Sequence, residues 1–159
     1  MSSVRYYDWI AHFGRRTPDK IAAIDLASER RLSYAQFDAR ISRLATHLRD
    51  ALKVARGDRV AVLALNTTDT LEVQFACGRI GAVFLPLNTR LTVPELQYIV
   101  GDASPKVMIH DTDLAEVALH GRQSSATFRQ RCCSAPAAPT KRRSRRQSRS
   151  SSFEDVTPR

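Results

Sequence analysis

The spacing of hydrophobic residues along the first 110 positions alternates between the patterns of strands and helices. Short apolar runs predict strands at Arg59–Leu65, Ala82–Leu87 and Lys106–His110. Between them, apolar residues recur at helical intervals within Leu71–Ile80 and Pro94–Val100. The resulting order is βαβαβ, which is typical of a mainly parallel sheet with helices on both faces. The pattern therefore predicts an α/β fold containing part of a doubly wound sheet.

A short helix and a hairpin are predicted near the N-terminus. Trp9, Ile10 and Phe13 are spaced as on one face of a helix, which Gly14 can end. The run Lys20–Leu26 predicts a short strand, and the turn residues after it lead into a second strand. We therefore expect a β-hairpin before the parallel sheet.

The strongest helix pattern follows this hairpin. Ser33 and Gln36 have the spacing of a capping box, in which each side chain satisfies a backbone N–H at a helix start. Apolar residues then recur every three or four positions from Phe37 to Leu52, and charged residues occupy the opposite face. Two further helix ends are predicted at Gly81 and Gly101, because glycine commonly follows the last helical residue.

Open parallel sheets bind ligands beyond the carboxyl ends of their strands. In this sequence those positions are Asn66–Asp69, Asn88–Thr92 and Asp111–Asp113. Together with His110, the third segment is the densest polar cluster at a strand end. Its spacing fits no defined metal loop, so a capped helix start at Asp111 is the favoured interpretation.

No catalytic constellation is recognisable from the residue types. Gly78–Gly81 lies at a helix end, where it favours tight helix-to-strand packing over phosphate binding. Cys77, Cys132 and Cys133 lack the spacing of a disulfide framework or metal site, which favours a reducing compartment. We assign no catalytic, cofactor-binding or metal-binding residue. The four histidines are scattered, at positions 12, 47, 110 and 120.

Composition and charge change near Leu119. Residues 1–119 contain 15 Lys and Arg against 14 Asp and Glu, whereas residues 120–159 contain 10 against 2, so most of the net charge of +9 lies in the last forty residues. We predict a folded unit over residues 1–118 and a disordered, basic Arg/Ser-rich tail over residues 119–159. No apolar run is long enough to span a membrane, and a cytoplasmic location is expected.

The tail has three interpretations. Residues 141–149 could contact phosphates of RNA or DNA, which would make the protein a non-enzymatic scaffold with a nucleic-acid-binding tail. The tail could be disordered without such a role. It could also be the product of a frameshift. Residues 128–142 can be encoded by codons that, in another reading frame, specify a sequence typical of a buried strand followed by a loop. We further expect exposed sheet edges to favour self-association.

Several segments resemble the core motifs of the adenylate-forming, or AMP-binding, superfamily. Leu32–Phe37 is similar to the first core motif of that superfamily. Gly57–Ala61 resembles the strand that follows it, and Phe75–Asn88 resembles the second core motif. Pro86–Leu91 is closer to acyl-CoA synthetases and acid–CoA ligases than to peptide-synthetase domains. The resemblance runs from about Tyr6 to about Glu116 and indicates the N-terminal portion of such an enzyme.

This resemblance implies a reaction and a set of ligands. Members use ATP and Mg²⁺ to convert a fatty or aryl carboxylic acid into an acyl-adenylate with release of pyrophosphate, and the thiol of CoA then displaces AMP. Their phosphate loop ending in Pro-Lys-Gly, their ribose-binding Asp and their catalytic Lys lie further along the polypeptide, and none of these motifs occurs in this chain. We therefore carry over no catalytic residue and expect this chain to be inactive and to hold no cofactor.

Overall fold

The computed structural model describes residues 7–120 and 131–132. Within these residues, six strands form two sheets, and helices connect or flank them. The strands are β1 (Ile21–Ile24), β2 (Arg31–Ser33), β3 (Arg59–Leu63), β4 (Val83–Pro86), β5 (Val107–His110) and β6 (Arg131–Cys132). The helices are α1 (Trp9–Arg16), α2 (Tyr34–Thr46), α3 (Thr68–Ile80), α4 (Val93–Ala103) and α5 (Ala115–His120), with a π-helical turn at His47–Ala51 and a 3₁₀ turn at Thr112–Leu114.

The central sheet has the strand order β4-β3-β5-β6, and all its neighbours are parallel. Val60 of β3 pairs with Phe84 of β4 on one side and with Val107 of β5 on the other. The chain thus leaves β3 toward one side through α3 and then returns past it through α4. Because these crossovers run in opposite directions, α3 and α4 lie on opposite faces of the sheet. The predicted βαβαβ order and doubly wound sheet are confirmed.

Alternation along β3 divides the core between the two faces. Val60 and Val62 pack with the side of the sheet that α1, α2 and α3 cover, whereas Ala61 and Leu63 pack with α4 and α5. This two-sided burial explains why β3 reads as a continuous apolar run. The first cluster contains Ile10, Leu32, Phe37, Ile41, Ala45, Leu48, Val54, Val60, Val62, Val73, Phe75, Ala76, Cys77, Val107 and Ile109.

The hairpin and the helix after it form as predicted. β1 and β2 pair antiparallel, with an irregularity in register between Ile21 and Ala23. The capping box is present in both directions: the Ser33 hydroxyl accepts from the Gln36 N–H at 3.3 Å, and the Gln36 side chain accepts from the Ser33 N–H at 3.0 Å. The α-helical part ends at Thr46, before the Leu52 end that the pattern predicts, and continues as the π-helical turn.

Two predicted helix ends are wrong, because both helices continue past the glycine. α1 continues through Gly14 to Arg16, and a Cβ at Gly14 would lie 3.2 Å from the Asp38 Cβ, so this glycine permits close packing of α1 on α2. α4 continues through Gly101 to Ala103, and Ser104 adopts the left-handed conformation with φ 44°.

The predicted end of α3 at Gly81 is confirmed. Gly81 has φ 71° and donates its N–H to the Cys77 and Gly78 carbonyls, as a left-handed helix cap does. Its own carbonyl accepts from the Gly57 N–H at 2.9 Å. The glycine-containing segment therefore closes α3 and sets the start of β4.

Most of the predicted basic tail lies outside the described residues. The described exceptions are the last two residues of α5, which ends at His120, and β6, which pairs with β5 through Ile109↔Arg131 and His110↔Cys132. The prediction of a disordered tail stays a prediction. The nucleic-acid contact predicted for residues 141–149 and the frameshift interpretation stay predictions. None of the described helices has the length and apolar character that a membrane crossing requires.

Candidate functional site

The carboxyl ends of β3 and β5 form the topological switch point of the sheet, where ligands bind in this class of fold. The connections after these strands leave toward opposite faces of the sheet, so their first residues diverge. Two hydrogen bonds join the diverging segments. The Asp111 N–H donates to the Leu63 carbonyl at 3.1 Å, and the Leu65 N–H donates to Asp111 Oδ2 at 2.8 Å.

Asp111 therefore has a different role from the predicted one. It occupies the position before the 3₁₀ turn, but its carboxylate does not cap that turn and instead binds the segment after β3. His110 is buried, and its Nδ1 lies 2.9 Å from the Asp111 carbonyl oxygen, whereas Asp113 is exposed. The three side chains do not converge. Across residues 7–120, no group of three or more His, Cys, Asp or Glu side chains is placed to hold a metal ion.

The segment Asn66–Asp69 begins α3. The Thr67 hydroxyl accepts from the Thr70 N–H at 3.4 Å, and the Thr70 hydroxyl donates to the Leu65 carbonyl at 2.9 Å. A cavity of about 10 Å³ lies behind this turn, which is space for one water molecule at most. It is lined by Val62, Ala64, Thr67, Asp69, Thr70, Val73, Ile109 and Asp111.

A buried carboxylate connects this segment to the hairpin. Asp25 accepts hydrogen bonds from the Ala27 and Ser28 N–H groups at 3.1 and 3.0 Å, and from the Thr68 hydroxyl at 3.3 Å. The Ser28 hydrogen bond is the main reason that the pKa of Asp25 falls from 3.8 to about 2, although burial acts in the opposite direction. Asp25 is therefore charged at neutral pH.

Charged side chains extend the connection along α3. Arg30 Nη2 donates to Thr68 Oγ1 and to Asp69 Oδ1, both at 2.5 Å. Arg40 of α2 donates to Asp69 at 3.3 Å and to Glu72. Burial raises the pKa of Glu72, and the hydrogen bond from Arg40 opposes that rise. The carboxylates of α3 are thus held by arginines from the hairpin and α2.

The Asn88–Thr92 segment makes its polar contacts within its own loop. The Asn88 side chain accepts from the Arg90 N–H at 2.9 Å, and the Glu95 carboxylate accepts from the N–H and hydroxyl of Thr92, both at 2.8 Å. These bonds form a turn and a helix cap. The structure thus joins two of the three predicted segments, Asn66–Asp69 and Asp111–Asp113, through Leu65, and gives the third a local role.

Gly78–Gly81 closes α3 next to β4, as the sequence predicts, and Cys77 lies in the hydrophobic core. Cys77 is fully buried, and burial raises the pKa of its thiol to about 12, so it is not a thiolate nucleophile at neutral pH. Sequence reasoning missed the contacts of Asp25 and Arg30. The Asp25 to Ser28 spacing is a signal for the turn, but its link to Thr68 depends on the fold.

Comparison with known proteins identifies the family. A family model described as AMP-binding enzyme matches residues 10–157. The chain belongs to the AMP-binding enzyme family. This confirms the resemblance inferred from the core motifs.

Acid–CoA ligases from several bacteria are similar to this AMP-binding chain. A feruloyl-CoA synthase from an Amycolatopsis species is 51% identical over 85 residues, which cover 54% of this chain and 17% of that protein. An indoleacetate–CoA ligase from Aromatoleum aromaticum is 41% identical over 101 residues, covering 64% and 19%. The chain spans about a fifth of the length of the curated relatives it matches.

Solved structures confirm that the fold is the N-terminal one of this family. The Mycobacterium tuberculosis fatty acyl-CoA synthetase matches with a TM-score of 0.66 and 34% identity, covering 69% of this chain and 22% of that one. A structure described as a long-chain fatty-acid–CoA ligase from Rhodopseudomonas palustris matches with a TM-score of 0.67 and 27% identity over 80% of this chain.

Proposed function

We propose that this chain is the N-terminal scaffold of an acid–CoA ligase. The parent reaction would join a fatty or aryl carboxylic acid to AMP at the expense of ATP, release pyrophosphate, and transfer the acyl group to CoA. The observation that carries the proposal is the strand order β4-β3-β5, with its switch point, in a chain that matches AMP-binding enzymes. The similar ligases named above support the class of reaction.

In this proposal the chain holds in place the carboxyl-terminal edge of the parallel sheet, next to which the parent enzyme would carry out the ligase reaction. The Leu65 to Asp111 hydrogen bond sets the spacing of the two segments at the switch point. The Asp25, Arg30 and Asp69 contacts hold the first turn of α3 against the hairpin. Such contacts position groups and exclude movement, and they transfer no proton or acyl group.

The residues at this edge do not fit a nucleotide or Mg²⁺ by themselves. The Asp111 carboxylate already accepts from a backbone N–H, and the Asp69 carboxylate is held by Arg30 and Arg40. No glycine-rich loop opens α3, whose first residues are Thr68 and Asp69. We therefore assign no catalytic step to residues of this chain. We propose that the chain alone does not catalyse the ligase reaction.

Pyrophosphate release tests this proposal. The purified chain is incubated with ATP, Mg²⁺, CoA and, in turn, ferulic acid, indoleacetic acid and a long-chain fatty acid, beside the full-length Amycolatopsis feruloyl-CoA synthase as the positive control. A circular dichroism spectrum verifies that the chain is folded. We expect no release above the protein-free background, and reproducible acid-dependent release would contradict the proposal.

A further inference from the structure

No further inference is drawn: the strongest candidate, the apolar groove of about 590 Å³ between residues 22–27 of the N-terminal hairpin and the start of α3, carries none because nothing in the described part of the structure shows what covers it.

Discussion

The backbone N–H of Leu65 donates a hydrogen bond of 2.8 Å to the carboxylate of Asp111, 46 residues further along the chain. This contact ties the segment after β3 to the segment after β5, at the point where the two chain directions diverge. A carboxylate that the sequence pattern assigns to a local helix cap is therefore a long-range tie across the switch point of the sheet.

Replacing Asp111 should destabilise the fold modestly. Asp111→Ala removes the acceptor of the Leu65 N–H, and we expect the free energy of unfolding to fall by about 1 kcal/mol. Asp111→Asn keeps a side-chain oxygen that can accept this hydrogen bond, so its free energy of unfolding should fall by less. Urea denaturation measures both, with Asp113→Ala on the exposed neighbouring residue as the control. Equal losses for Asp111→Ala and Asp113→Ala would contradict the role of the tie.

Asp25 should make stability depend on pH in the acid range. Its pKa is about 2 in the folded chain against 3.8 normally, so its contribution is complete above about pH 4 and is lost as the pH falls toward 2. Asp25→Asn removes the charge, so the difference in unfolding free energy between the original chain and this variant should become smaller as the pH falls from about 4 toward 2. Urea denaturation at a series of pH values measures it. Parallel stability curves would show that the Asp25 charge is not stabilised by folding.

Two glycines should respond to alanine in opposite directions. Gly81 has φ 71°, and an added Cβ would lie 3.0 Å from Arg56 Cγ. Gly81→Ala should therefore lower the free energy of unfolding by about 1–2 kcal/mol. Gly101 lies inside α4 with open space around it, so Gly101→Ala should raise stability by about 1 kcal/mol. Thermal denaturation of both variants gives the sign of each change, and a shift in the same direction for both would contradict the two assignments.

Arg79 should be the most sensitive of the surface arginines. Its guanidinium contacts Asp8 at 2.6 Å, Asp38 at 2.5 Å and the Ser42 hydroxyl at 2.7 Å, and its side chain is only 15% exposed. Arg79→Ala leaves two partly buried carboxylates without their partner and should cost about 2 kcal/mol, less than breaking a fully buried pair.

Arg49→Ala is the control for that change, because the Arg49–Asp50 ion pair is more than half exposed on both sides. We expect no measurable change in its urea midpoint, since solvent screens such pairs. If the two alanine variants unfold at the same urea concentration, Arg79 does not fasten α1 and α2 to α3.

Local patterns were sufficient to predict most of the fold. The Ser33 and Gln36 capping box, the left-handed Gly81 and the continuous apolar run of β3 each depend on neighbouring residues alone, and each is confirmed. Gly14 was misleading because its small size serves the packing of α1 on α2, and helix–helix distances are not encoded in local spacing.

The candidate site was predictable in position but not in contacts. The structure brings the segments after β3 and β5 together, at the edge where the rule for parallel sheets places a site. The pairs Arg30–Asp69 and Leu65–Asp111 are 39 and 46 residues apart, so only the folded chain shows which carboxylate meets which donor. The same limit applies to Arg40 and Glu72, whose contact joins two helices.

A segment exchange tests the scaffold proposal most directly. The 85-residue segment of the Amycolatopsis feruloyl-CoA synthase that matches this chain at 51% identity is replaced by the corresponding residues of this chain, and formation of feruloyl-CoA is measured. The unmodified synthase and the synthase with that segment deleted are the two controls. We predict that the exchange restores product formation that the deletion abolishes. A chimera that folds and forms no feruloyl-CoA would contradict the claim that this chain supplies a functional ligase scaffold.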